Sequence, residues 1–380
     1  SGRKAKGLVQ ARGAAGDGEM MCAEKRVCQE THVYEYHEGE CVRRDWWSSS
    51  SLKLWNATCL EAYEDAIFGN KEHFQGQVIL CVGRESDTLA CLVAMAGATK
   101  GYAVEYDVGP AGRSEVEADL GAAQGVVTLL EGKVEELELP EKVDIIVSNF
   151  MGNFLLGTGC TIDSFLLARD KFLKSDGTIF PSHCEMVLAP ASSQDAESFV
   201  EGHTHAYERH MREFFWSRRK EWEYSNHSPY RSFERKVRKG FPDTSVLACV
   251  GAQELLGPGN IIREIDMRTA RRESVRNTYN NLELSITIGG SLSMIVGWFS
   301  VYFNGSQGRP ALVDIEIDTS PYALNNPMSF MWQKVFVVPH LPRVDEGGTF
   351  LCSLRHNGDN MAVVCHEGEK EAQPIPAESE

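Results

Sequence analysis

Residues 78–107 read VILCVGRESDTLACLVAMAGATKGYAVEYD, and this stretch sets the fold of the first half of the chain. The apolar run over 78–82 predicts a buried strand ending at Gly83, the Ala- and Leu-rich stretch behind it a helix, and the next apolar run a second strand ending near Glu105 and Asp107. Strand, helix and strand in that spacing make a βαβ unit of the nucleotide-binding kind. Its first turn normally reads G-x-G-x-G, so that the backbone can come close to a ligand. Here those three positions hold Gly83, Glu85 and Asp87. The scaffold of a ligand site is present, with carboxylates in its turn.

Outward from this unit, strands alternate with helical stretches from about residue 52 to residue 181, the pattern of a parallel sheet covered by helices. VVTLLEGKVEELELPEKVDIIVSNFMG gives a strand over 126–130, an acidic turn, and a buried strand over 143–147. DSFLLARDKFLKSDGTIFP predicts a helix capped by Asp163, with Phe165, Leu166, Phe172 and Leu173 on one face and a stop at Gly177. Beyond residue 181 the runs CEMVLAP, LELSITIGG, SMIVGWFSVYFNG, LVDIEID, KVFVVP, GTFLCSLRHN and MAVVCHE are short, β-rich and separated by turn residues, which predicts an antiparallel barrel or sandwich. Residues 207–240 fit neither half, being basic and aromatic within an acidic chain.

At 380 residues, 42% hydrophobic and 24% charged, the chain is long enough for two domains with a substantial core. Its net charge of −16 argues against nucleic acid as the partner of the whole molecule. The 11 cysteines are odd in number, scattered and never spaced C-x-x-C, so they read as reduced thiols of an intracellular protein, expected in the cytoplasm, rather than as a disulfide frame or a metal site. No apolar run approaches the roughly 20 residues that span a bilayer. The opening residues lack the apolar core of a signal peptide and read as a flexible arm, and the polar end HEGEKEAQPIPAESE reads as a disordered tail.

The runs EGKVEELELPEKVDIIVSNFMG and ARDKFLKSDGTIFPS resemble the core of the protein arginine methyltransferases, with a match over roughly residues 45–360 that is strongest over 126–182. The resemblance implies an α/β fold: a Rossmann-like methyltransferase domain, followed by an antiparallel β-barrel domain with a helical dimerisation arm. It divides the chain into a flexible N-terminal arm (1–44), the Rossmann-like domain (45–182), the barrel domain (183–366) including the arm (207–240), and a tail (367–380).

The same resemblance implies where the chemistry should sit. A guanidinium stays protonated at neutral pH, and two carboxylates must grip and polarise it. The family's two glutamates fall at Asn149 and Thr158, and its Thr-His-Trp loop at Ser329, Phe330 and Met331. In the S-adenosylmethionine site, family glycines fall at Glu85 and Asp87, an acid at Cys81, and the arginine for the donor carboxylate at Cys59, while acids remain at Glu105 and Glu135.

Read together, these positions lead us to expect a catalytically inactive homologue that binds no cofactor itself, S-adenosylmethionine being held only by a catalytic partner. The combination is similar to the inactive prozyme paralogues of kinetoplastid type I arginine methyltransferases, which implies a regulatory, activating subunit in a heterodimer or heterotetramer with an active paralogue. Phe214, Phe215, Trp216, Trp222, Tyr230 and Phe233 of the arm are the expected interface anchors. Two alternatives stand beside this: a divergent active S-adenosylmethionine-dependent enzyme, and an RNA-binding protein using Arg218, Arg219, Lys220, Arg235, Lys236 and Arg238, with weak electrostatic binding. Neither a metal nor a membrane is expected.

Overall fold

In the first half, apolar strands with both faces covered stack into a five-stranded parallel sheet. A computed structural model describes residues 34–37, 40–43, 49–105, 123, 125–157, 160–195, 245–247, 250–275, 278–323, 333–338, 340–357 and 360–366. After a hairpin of Tyr34–His37 with Glu40–Arg43, the elements are α1 (Ser49–Gly69), α2 (Lys71–Phe74), β1 (Val78–Gly83), α3 (Ser86–Met95), β2 (Lys100–Glu105), β3 (Val127–Glu131), β4 (Val143–Asn149), α4 (Ile162–Phe172) and β5 (Leu173–Phe180). Sheet order is β3-β2-β1-β4-β5, every pair parallel. Ile79, Leu80, Cys81, Ile145, Ile146 and Val147 are buried at its centre, as continuous apolar runs require.

Two expectations for this half are corrected. Asp163 does not cap α4: the cap position is Thr161, and Asp163 lies in the first turn, 3.0 Å from Nε of Arg272. The helix also stops at Phe172 rather than at Gly177, which lies inside β5. A Cβ at Gly177 would lie 2.5 Å from Leu173 and 2.9 Å from the Asp144 carbonyl, so the strand takes glycine there for close packing.

The second half is antiparallel. Its longer strands are β6 (His183–Ala191), β7 (Ser245–Leu247), β8 (Asn260–Asp266), β9 (Tyr279–Ser285), β10 (Met294–Tyr302), β11 (Glu316–Asp318), β12 (Lys334–Val337), β13 (Thr349–Asn357) and β14 (Asn360–Cys365). β8-β6-β10-β12-β7 form one sheet with β11 also paired to β10, and β9-β13-β14 form another. One apolar core runs through both halves of the chain, from Ile79 and Phe150 to Phe299 and Phe336, and a smaller cluster sits round Trp298.

Polar clamps hold the halves in register. Arg169 of α4 donates to the Met267 carbonyl at 2.9 Å, and Arg268 donates to the carbonyls of Gly177 and Ser175. The ring of Tyr63 on α1 meets that of Phe303 edge-on at 4.9 Å. Among the described residues no helix is long and apolar enough to cross a membrane.

Candidate active site

The sheet order reverses between β1 and β4, since β1 pairs with the strand that follows it on one side and with a distant one on the other. In an open parallel sheet the crevice outside the carboxyl ends at such a reversal is where ligands bind. Here those ends are Gly83 and Asn149, register partners whose neighbour Arg84 donates its N–H to the Asn149 carbonyl at 2.9 Å. Gly83 has φ +104°, and a Cβ on it would meet the Asn149 carbonyl oxygen at 2.6 Å and Thr161 Oγ1 at 3.2 Å. No other residue fits there.

The next turn residue keeps the shape of a glycine without being one. Glu85 lies at φ 56°, ψ 35°, the left-handed region, at a cost of about 1 kcal/mol for a residue with a Cβ. The turn therefore survives the exchange of side chain, and a half-buried carboxylate is carried on it. Asp87 follows in the first turn of α3, where the helix dipole favours a negative charge.

Glu105, at the end of β2, joins them through Ser86. The Ser86 hydroxyl lies 2.6 Å from Glu105 Oε1 and 2.8 Å from the Val104 carbonyl oxygen. A hydroxyl has one proton for these two acceptors. Burial pushes Glu105 above the ordinary carboxylate range, the Ser86 bond pulls it back, and the charge of Asp87 adds to the upward push. A proton on Glu105 donated to Ser86 Oγ leaves the serine free to donate to Val104, which satisfies all three groups. Glu85 is raised too, first by burial, with Arg84 opposing and Asp87 and Glu105 reinforcing. The carboxyl ends of β1 and β2 thus hold three acids that repel one another.

Beside them lies a set of unpaired neutral groups. Asn149 Oδ1, Ser148 Oγ and Thr161 Oγ1 are buried and have no hydrogen-bond partner among the described residues, and Asn149 is 3% exposed. Buried polar atoms are normally satisfied, so three such groups round one strand end leave hydrogen-bonding capacity there among the described residues. The strand end is held firmly: the Tyr63 hydroxyl donates to the Ser148 carbonyl at 2.6 Å. Thr161 spends its hydroxyl on no cap bond.

The site residues predicted from the sequence divide accordingly. The structure brings Asn149, Glu85, Asp87 and Glu105 together round Gly83. Cys81 and Cys59 are fully buried, and burial raises both thiols far above their ordinary range, which keeps them protonated. Cys59 nevertheless feels the charges of Glu85 and Arg84, which puts α1 beside the turn. Glu135 is an exposed residue of a turn beyond β3, whose carbonyls at 135 and 137 accept from Lys171 Nζ. Thr158, Ser329, Phe330, Met331 and the arm residues Phe214, Phe215, Trp216, Trp222, Tyr230 and Phe233 lie outside the described residues. No group of His, Cys, Asp and Glu suited to a metal occurs among the described residues. Sequence reasoning missed Arg84, Ser86, Tyr63 and Thr161. Ser86 alone had a local signal, a hydroxyl in the first turn of the helix that follows the glycine turn.

Comparison with known proteins places this geometry in context. No protein-family model matches the chain. It is 32% identical over 389 residues to protein arginine N-methyltransferase PRMT10 of Oryza sativa subsp. japonica, covering 98% of this chain and 96% of that protein. The crystal structure of Arabidopsis thaliana protein arginine methyltransferase 10, described as uniquely open, matches with a TM-score of 0.65 at 30% identity, over 81% of this chain and 88% of that one. The Trypanosoma brucei PRMT1 enzyme-prozyme heterotetrameric complex matches with a TM-score of 0.62 at 21% identity, over 84% of this chain and 92% of that one, a likeness of fold.

These matches overturn the expectation of an inactive pseudoenzyme, because over almost its whole length the chain is similar to proteins named as N-methyltransferases. The expectation counted lost charge as lost function. Asn149, one of the positions on which that expectation rested, carries a buried amide oxygen that has no hydrogen-bond partner among the described residues. With a Rossmann-like sheet, a β-rich second half and near full-length identity of 32%, the chain belongs to the protein arginine N-methyltransferase family.

Proposed function

We propose that the chain is an S-adenosylmethionine-dependent protein arginine N-methyltransferase, in which the neutral amide of Asn149 stands where a gripping carboxylate is usual. The observation that carries this reading is the identity of 32% over 98% of the chain to a protein named for that activity. An arginine guanidinium offers five N–H donors and no acceptor. Asn149 Oδ1 is a buried acceptor without a donor among the described residues, at the strand end where the sheet order reverses. A hydrogen bond between a neutral acceptor and a charged donor contributes about 1.5–3 kcal/mol, enough to orient the group while attracting it less than a carboxylate does.

The donor, when bound, supplies a methyl group carried on a sulfonium. The residues at the turn fit such a ligand: Glu85, Asp87 and Glu105 repel one another, and a cation among them relieves that repulsion. In this reading Glu105, at the end of β2, accepts from a ribose diol, and Gly83 keeps the turn free of a Cβ. The test is methyl transfer from radiolabelled donor to an arginine-rich peptide by chain purified from a host without other arginine methyltransferases. Monomethyl- or dimethylarginine identified by mass spectrometry is expected. Product at background together with no calorimetric donor binding would overturn the reading.

Association with an active paralogue, as heterodimer or heterotetramer, belongs to the same proposal. It is supported by the aromatic content of residues 207–240, where Phe215, Trp216 and Trp222 occur in a short span. Copurification and sedimentation with candidate family members test it, and a triple alanine variant at these three positions should dissociate the pair.

A further inference from the structure

The turn between β1 and α3 carries opposite charges on adjacent residues, and neither is held in an ion pair among the described residues. Arg84 and Glu85 are both half-buried. The charges that act on Cys59 and Glu85 come from Arg84, Glu85, Asp87 and Glu105, and Arg84 is the one cation of that set. Its main chain is fixed by the bond to the Asn149 carbonyl, and the left-handed Glu85 turns the chain sharply beside it. Asn149, which accepts that bond, is itself almost wholly buried, and its Oδ1 has no partner among the described residues. Partly desolvated charges that lack a contacting ion-pair partner cost free energy unless a ligand completes them, and they gather at functional sites for that reason.

Resting on the proposed function above, we infer that Arg84 and Glu85 together recognise the zwitterionic amino-acid end of the methyl donor, the guanidinium of Arg84 taking the α-carboxylate and the carboxylate of Glu85 the α-ammonium. Charge decides the assignment. The donor's amino-acid end carries a single anionic group, and in a set of three acids only Arg84 attracts it. A planar guanidinium also suits a carboxylate bidentately. The residue that reads as a blocked glycine in the sequence thereby gains a role: Glu85 keeps the glycine turn and adds a charge to it.

The test uses two ligands that share a nucleoside and differ in this end. S-adenosylhomocysteine has the amino acid, and 5′-methylthioadenosine lacks it. Calorimetry on the full chain should show Arg84→Ala and Glu85→Gln each weakening S-adenosylhomocysteine about 10- to 100-fold, the range for hydrogen bonds to charged groups, while 5′-methylthioadenosine binds both variants as it binds the wild type. Arg84→Lys should recover part of the loss. Should Arg84→Ala fail to fold by circular dichroism, Arg84→Gln replaces it. Unchanged S-adenosylhomocysteine affinity in folded variants overturns the inference and leaves the donor site standing. Equal weakening of both ligands also overturns it, since the residues would then shape the pocket rather than read the amino acid. A wild-type chain that binds neither ligand overturns the proposed function and this inference together.

Discussion

Asn70 and Val313 hold each other through their amides: Asn70 Nδ2 donates to the Val313 carbonyl at 3.0 Å, and the Val313 N–H donates back to Asn70 Oδ1 at 3.1 Å. The same side chain donates to the Ala66 carbonyl at 2.8 Å and accepts from the Leu312 N–H at 2.5 Å. Asn70 is fully buried, so one residue after α1 ties the Rossmann-like half to the β-rich half with its whole hydrogen-bonding capacity.

Asn70→Ala leaves several buried backbone groups unpaired, and a loss of about 2–4 kcal/mol is expected, since each unsatisfied group costs about 1–3 kcal/mol and neighbours relax in part. Asn70→Asp should be nearly as severe, because it turns two donated bonds into contacts between acceptors. Urea titration followed by tryptophan fluorescence measures both.

Asn149→Ala should behave in the opposite way. Its Oδ1 makes no hydrogen bond among the described residues, so the free energy of unfolding should change by no more than about 1 kcal/mol. Methyl transfer to an arginine peptide should fall about tenfold or more, with donor affinity retained. A large loss of stability with unchanged kcat/KM would show that Asn149 is a packing residue and remove it from the site.

The acids at the turn predict a pH dependence of defined sign. Glu85 and Glu105 are raised in the folded chain, so between their ordinary range and their folded values the native state binds more protons than the unfolded one. Their contribution to stability is then fully present below the ordinary carboxylate value and is lost as pH rises through the folded values. A Glu85→Gln, Glu105→Gln double variant should unfold with a flatter dependence over that interval. Binding of a cationic ligand should move the other way and strengthen as the two groups lose their protons.

Thiol labelling should separate the cysteines by burial. Cys352 and Cys365 face each other across β13 and β14, yet Cys352 is fully buried and its thiol is pushed up to about 12 by burial and then by the charge of Cys365. Half-buried Cys365 and Cys91 should react with a maleimide in the native chain, while Cys352, Cys59, Cys81 and Cys184 should wait for unfolding, and peptide mapping gives the order.

Much of this fold is legible in the sequence because its strongest signal, an apolar run with no polar alternation, has one common cause, a strand buried on both faces. Val78 to Val82 and Val143 to Val147 are read correctly on that ground. Asp163 and Gly177 are misread because their reasons lie far away in the chain, with Arg272 for the first and with Leu173 and Asp144 for the second. The site shows the same limit. The sequence shows a neutral side chain at position 149, but only the fold shows that its amide oxygen is buried and unpaired among the described residues. Glu105 is legible from its place after the second strand, whereas the proton it competes for with Val104 is a matter of distance to Ser86.

The edge-on rings of Tyr63 and Phe303 make the barrel half a remote guardian of the turn. Phe303 supports Tyr63, the Tyr63 hydroxyl holds the Ser148 carbonyl, and the following carbonyl, that of Asn149, receives the Arg84 amide. In hydrogen exchange the Arg84 amide should therefore open with the barrel rather than with the sheet it sits on, and Phe303→Leu should speed its exchange while leaving the amides at the centre of β1 slow. Motions that loosen the β-rich half then have a route to the mouth of the site through the Tyr63 phenol, so packing remote from the turn bears on how firmly the turn is held.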